Sequence, residues 1–325
     1  MTDFDRFATP VPPRRLPVES GPSGEAVRSG ADRESADESA SEVTSVDVEG
    51  NEPRTPKAGR NLPAAIGVGV LLGALVLTSL FIWRQAAMGV LAAAIVIGIW
   101  ELVRAIGPES RRPPLIPLIG GGLLMVPLAW FGGVGALTVG LLLTVLAAGV
   151  WRLADGPSGY RRSTAASALV AVYVPFLASF FVLLLRPDDG AVRVLAVLLA
   201  VVLSDTGGYV AGVFFGRHPM APTVSPKKSW EGFTGSTLAC VVGGVIMLTV
   251  GLDAAWWTGI LFGVALAVAS TIGDLAESLL KRDLGIKDMG ALLPGHGGVM
   301  DRMDSLLVAA PVGYLLLSVL TPPAA

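Results

Sequence analysis

From residue 62 onward the chain is a near-continuous series of apolar segments, each about as long as a bilayer is thick. A spanning helix needs about 20 mostly apolar residues. Such runs fall at about 62–83, 86–105, 114–131, 133–151, 164–185, 192–215, 234–251, 254–273 and 305–320. In hydrocarbon every backbone N–H and C=O must find a partner within the protein, so runs of this kind fold as helices. The sequence therefore predicts an all-α polytopic membrane protein with about nine transmembrane helices. Charged residues are 15% of the chain, against about 25% in soluble domains. A net charge of -2 argues against a nucleic-acid partner. The single cysteine, Cys240, lies in an apolar run and reads as a small buried hydrophobe.

Residues 1–61 have a different composition. They hold twelve acidic and eight basic residues among many Pro, Ser and Gly, with no apolar run long enough for a core. This is the composition of a disordered segment, and no apolar stretch after a basic start marks a signal peptide. The expectation is a disordered cytoplasmic tail, 1–61, before a membrane domain, 62–325. With the tail inside and nine alternating spans, the inner loops carry thirteen basic residues, among them Arg104, Arg111, Arg152, Arg217, Lys227 and Lys281. The outer loops carry three: Arg84, Arg186 and Arg193. That asymmetry follows the positive-inside rule.

Two stretches, 204–232 and 274–304, break the apolar pattern with chemistry. Asp274, Glu277, Ser278 and Lys281 share one face of a helix by their i, i+3, i+4, i+7 spacing. Pro294, Gly295, Gly297 and Gly298 then end the helix around His296, and Asp301 and Asp304 follow at the mouth of the last apolar run. Carboxylates from two places with Lys281, Arg282, Lys287 and Arg302 nearby suit a divalent cation and a polyphosphate. In the other stretch Asp205 lies about 15 Å inside a helix ending near Gly216, a depth at which an acid usually faces a polar cavity. Ser225, Lys227, Lys228, Ser229 and Glu231 follow in a loop, where the two lysines suit either phosphates or anionic lipid. Gly208, Gly212 and Gly216, and more weakly Gly69 and Gly73, offer small-residue faces for helix packing.

The run Ser278-Leu-Leu-Lys281-Arg282, Lys287-Asp288-Met-Gly290, Leu293-Pro294-Gly-His296-Gly297-Gly298-Val-Met-Asp301-Arg302-Met-Asp304 resembles the signature of the phosphatidate cytidylyltransferases, or CDP-diacylglycerol synthases. The 205–232 region is similar to the same family, with Ser229 where Thr is usual and Gly208 where Ala is common. The resemblance covers about 60–320 in hydropathy plan and about 200–305 in motifs, and makes 62–325 a transmembrane cytidylyltransferase domain. It implies condensation of CTP with phosphatidate to CDP-diacylglycerol and diphosphate. It implies Mg²⁺ on Asp274 and Asp301, a second cation such as K⁺, and a homodimer. Asp288 and Asp304 are expected to support the metal ligands. Lys228, Lys281, Lys287 and Arg302 are expected to hold phosphates, with Arg282, Ser225, Lys227, Asp205, Glu231 and His296 lining the site. Other lipid-directed phospho- or nucleotidyltransferases, and an ion-coupled transporter, are the competing readings. The transporter is weakened by a Lys/Asp/His signature that lies outside the spans.

Overall fold

The computed structural model describes residues 62–107, 112–154, 156, 158–290, 292 and 297–322. The tail, Arg111, Pro294 and His296 lie outside the described residues. The described chain runs α1 (Leu62–Ile82), α2 (Arg84–Ala105), α3 (Leu115–Leu153), α4 (Tyr160–Ala171), a π turn (Val172–Phe176), α5 (Phe180–Leu185), α6 (Gly190–Phe215), β1 (Pro219–Ala221), β2 (Ser225–Ser229), α7 (Trp230–Gly251), α8 (Trp256–Leu284) and α9 (Met300–Leu320). Seven of the described helical stretches are long and apolar enough to cross a membrane, with α4, the π turn and α5 counting as one. The protein is a multi-pass membrane protein.

Hydropathy separates nine segments, and two features account for the difference. The described apolar part of α1, Gly67–Ile82, is shorter than a full span. The segments 114–131 and 133–151 run on without a loop as α3, 39 residues in two helical limbs. Straight, it would run about 58 Å, nearly twice the hydrocarbon core. It breaks instead at Gly133, with φ 68° and ψ -157°. A Cβ at Gly140 would stand 2.8 Å from Leu128 Cδ1, and one at Gly121 would overlap Thr144, so the two limbs lie against each other. That conformation belongs almost only to glycine. Gly133→Val is expected to destabilise the protein by about 1–3 kcal/mol, read as a lower midpoint of thermal unfolding in detergent.

The loop before α7, read from sequence as irregular, is a two-stranded antiparallel hairpin pairing Pro219 with Ser229 and Ala221 with Ser225. Ser229 then caps α7, its Oγ accepting the Gly232 N–H at 3.1 Å. Threonine would make the same cap.

The second half of the chain packs in sequence order, α6 on α7, α7 on α8 and α8 on α9. Small residues permit it. A Cβ on Gly207 would meet Ala239 at 2.7 Å, and one on Gly263 would meet Val241 Cα at 2.5 Å. Gly208 and Gly212 face Gly232 and Ser236 on α7, as their spacing predicts, whereas a Cβ on Gly73 would meet nothing within 4 Å. One apolar core joins α2, α3 and the π turn to α9 through Ile95, Ile99, Leu118, Met125, Val174 and Met300. Another joins α6, α7, α8 and α9 through Val197, Leu248, Phe262, Leu266 and Leu317. Cys240 is buried on α7, its Sγ 3.1 Å from the Ala200 carbonyl.

At the end of the bundle away from the motifs, Asp189 precedes α6 and accepts two hydrogen bonds from Arg193, at 2.6 and 2.7 Å. Arg193 also donates to the carbonyls of Leu317 and Thr321, tying α6 to the end of α9. Hydrogen bonding from Arg193 holds the Asp189 carboxyl below its usual range. A depressed folded-state pKa contributes stability that is present above the unfolded value, about 3.9, and lost as pH falls through the folded one. Asp189→Asn is expected to remove that acid-side loss, measured as a flatter unfolding midpoint between pH 5 and 3.

Candidate active site

The motif-bearing parts of α6, the hairpin, α7 and α8 meet around a cavity of about 310 Å³ lined by Asp205, Ser225, Lys227, Lys228, Thr271 and Asp274, with Gly208, Tyr209 and Ser236 among the rest of its wall. Residues 69 positions apart in sequence thus share one polar chamber. Asp205 comes from α6, where it is exposed to the cavity rather than buried against a neighbour. The hairpin supplies Ser225, Lys227 and Lys228 from β2. α8 supplies Asp274.

Asp274 is the hub. Its Oδ2 receives the Lys228 ammonium in an ion pair, and its Oδ1 receives the Ser305 hydroxyl at 2.5 Å. Ser305 reaches it because α8 and α9 touch here through Gly273: a Cβ there would lie 2.6 Å from the Asp304 carbonyl oxygen and 2.8 Å from Ser305 Cα. Ser305 Oγ also lies 3.2 Å from Asp304 Oδ1, so one hydroxyl spans two carboxylates. Sequence reasoning missed Ser305, whose only signal is its place directly after Asp304. Gly273→Val is expected to part the two helices and lower turnover about 100-fold, the cost of roughly 1 Å of misplacement at a reacting centre. The assay is initial rate per folded molecule.

A second cluster lies beside the first. Lys281 Nζ stands 3.2 Å from Glu277 Oε2 and 3.0 Å from Asp301 Oδ1, bridging α8 to α9. Glu277 is fully buried. The sequence put it on the charged helix face but gave it no part in the site. The carboxylate of Asp301 is turned toward the loop between α8 and α9. It accepts the Met289 N–H at 3.0 and 3.2 Å and the Gly298 N–H at 2.9 Å, with its side chain 5% exposed. Two limbs of the signature loop are thereby fastened to one side chain, and its ionic partner is Lys281 rather than the adjacent, exposed Arg302.

The remaining expected residues divide. Lys287 and Asp288 are exposed on the loop, and a Cβ on Gly297 would lie 3.7 Å from Asp288 Oδ1. Asp304 sits between Ser305 and the buried Glu277. Arg282 is exposed, its Nε 3.5 Å from the Val224 carbonyl in the hairpin turn. Glu231 is not among the residues lining the cavity. It braces the chain entering the hairpin, accepting the N–H groups of Arg217 and His218 and facing the His218 ring at 2.5 Å. His296 lies outside the described residues.

The donor set suits a hard cation of the Mg²⁺ kind. Asp274 faces the cavity with a cationic ammonium already on one oxygen, and Asp205 shares the chamber. No group of three or more His, Cys, Asp or Glu gathers as a metal cage among the described residues. Mg²⁺ is commonly bound without one, through one or two carboxylates and the phosphates of its substrate.

Comparison with known proteins agrees with the geometry. The cytidylyltransferase family model matches residues 63–320. A protein named phosphatidate cytidylyltransferase from Mycobacterium leprae (strain TN) is 43% identical over 283 residues, covering 82% of this chain and 90% of the relative. Proteins of the same name from Mycobacterium bovis (strain ATCC BAA-935 / AF2122/97) and Mycobacterium tuberculosis (strain ATCC 25618 / H37Rv) are each 41% identical over 280 residues. They cover 82% of this chain and 91% and 85% of the relatives. The matched span takes in both polar stretches and the helices that bring them together, and the chain belongs to the cytidylyltransferase family.

Proposed function

We propose that the protein is a phosphatidate cytidylyltransferase, converting CTP and phosphatidate to CDP-diacylglycerol and diphosphate for phospholipid biosynthesis. The observation that carries this reading is the chamber itself: paired lysines on the hairpin with Asp205 and Asp274 from within apolar helices, where a water-soluble nucleotide and a membrane lipid can meet. The curated relatives that bear this name supply the substrate class.

A phosphatidate oxygen attacks the α-phosphorus of CTP. A new P–O–P bond forms, the bond to the α–β bridging oxygen breaks, and diphosphate leaves. The nucleophile is already an anion, so the demand is for charge neutralisation rather than a strong base. Lys227 and Lys228 meet phosphates from the hairpin, and Lys287 and Arg302 from the loop and α9. Asp274 would hold Mg²⁺, with Asp301 as the second carboxylate that the family resemblance suggests. When bound, the cation neutralises charge on the phosphoryl oxygens. Asp304 and Ser305 keep Asp274 oriented, and Asp288 supports the loop side.

The excess of basic residues in alternate loops supports a cytoplasmic N-terminus and a chamber open to the cytoplasm. Single cysteines in the hairpin turn are expected to react with an impermeant maleimide in inside-out vesicles and not in intact cells. A homodimer and a K⁺ requirement are further parts of the proposal, read from the mass of the detergent-free particle and from replacing K⁺ by a bulky organic cation.

The test is turnover of the purified chain in mixed micelles with phosphatidate, Mg²⁺ and one nucleotide at a time. The lipid product is identified by mass. CDP-diacylglycerol is expected with CTP and not with ATP, GTP or UTP, and EDTA is expected to abolish it. Product from another nucleotide alone, or ion flux without CTP consumption, would overturn the reading.

A further inference from the structure

Glu101 lies near the C-terminal end of the apolar helix α2, four residues before Ala105 and 1% exposed, and none of the chemistry above uses it. An acid buried at such a position is costly unless it is bonded or has work to do. Its Oε2 accepts the N–H of Met300, the first residue of α9, at 2.8 Å. Its Oε1 has no hydrogen-bond partner among the described residues. Two glycines of the signature loop close over the same carboxylate: a Cβ on Gly290 would overlap Oε1, and one on Gly298 would stand 2.5 Å from Oε2. Gly298 and Met289, neighbour of Gly290, are also the residues whose N–H groups bind Asp301.

The loop is therefore clamped between two carboxylates. Asp301 takes its N–H groups from one side, and Glu101 fills the space under both glycines from the other. Gly290 and Gly298 are small because the Glu101 carboxylate occupies the volume a side chain would need. Met300 is fixed one residue before Asp301, so a shift at Glu101 is transmitted to Asp301 through a single peptide unit.

We propose that Glu101 is a positioning residue for the nucleotidyl-transfer site, acting through Met300, Gly290 and Gly298 on Asp301 and on the loop that carries Lys287 and Asp288. This rests on the proposed cytidylyltransfer. It places one control point of the reaction on α2, 199 residues from the Met300 N–H it holds. Side chains that orient metal or phosphate ligands from behind typically cost 10–100-fold in activity or metal affinity when removed.

The test compares Glu101→Ala with Glu101→Gln in the full-length protein. Glu101→Ala is expected to lower kcat by about 10–100-fold and to raise the Mg²⁺ concentration for half-maximal rate. Glu101→Gln keeps an acceptor for Met300 and nearly the same volume, and is expected to recover most of both. If Glu101 only stabilised the fold, Glu101→Ala would lower yield and unfolding temperature while leaving kcat per folded molecule and Mg²⁺ dependence unchanged. That result, or a Gln variant no better than Ala, overturns the proposal. Should Glu101→Ala not accumulate, Gly290→Ala decides, because its methyl group forces the loop off an intact Glu101: the same kinetic change supports the proposal and wild-type kinetics overturn it. Amide exchange at Met289, Gly298 and Met300 is expected to be faster in Glu101→Ala than in wild type. This readout needs no turnover, so unchanged exchange defeats the inference, whereas an inactive wild-type protein defeats only the proposed reaction.

Discussion

Asp301→Asn is expected to abolish measurable turnover, a loss of more than about 100-fold, while the protein still inserts and folds. Both Asp301 oxygens accept in the structure, from Met289, Gly298 and Lys281. Asparagine keeps the shape but turns one acceptor into a donor, so an NH₂ group must face an N–H or an ammonium. A buried donor left without an acceptor costs about 1–3 kcal/mol, and the loop is the part free to move in response. Lys281 also loses one of its two carboxylates and is drawn toward Glu277. The measurement is product formation alongside a size-exclusion profile matching wild type. Near-normal turnover would show that neither the loop anchor nor a cation at this side chain matters to the reaction.

Asp274→Asn is expected to cost about 100–1,000-fold, of the order seen when a fixed charge-stabilising group is removed from an active site. Here the change acts at the centre of the chamber. Asparagine can still accept from Ser305, so the contact between α8 and α9 survives through Gly273. What is lost is the negative charge that faces Lys228 and, in the proposed reaction, Mg²⁺. The prediction is specific: turnover falls, higher Mg²⁺ does not restore it, and the unfolding midpoint stays close to wild type. Recovery at high Mg²⁺ would point to a supporting role and move the cation to other side chains.

Much of this was readable before any coordinates. The apolar runs announced helices because hydrocarbon leaves the backbone no alternative, and the spacing of Asp274, Glu277 and Lys281 put them on one face of α8. The limb boundary at Gly133 also emerged from hydropathy, as the break between 114–131 and 133–151. Sequence could not say that the turn between the two limbs is a single glycine in a conformation other residues avoid. The pairing of Lys228 with Asp274 was out of reach because it joins a hairpin to a helix 46 residues away, and hairpin register is set by local turn geometry rather than by apolar pattern. Glu231 reads as a site residue by the resemblance of its region to the family, yet as the second residue of α7 its side chain points back to Arg217 and His218. Glu101 did carry a signal, an acid inside an apolar run, but its partners lie in the last third of the chain and no periodicity links them.

The most direct test of the central claim uses CTP labelled with ³²P at either the α or the γ position, with phosphatidate as acceptor. Transfer of a cytidylyl group predicts label in the lipid product from α-labelled CTP and none from γ-labelled CTP, with labelled diphosphate released from the latter. Lipid labelled from the γ position would make the protein a lipid kinase and contradict the account.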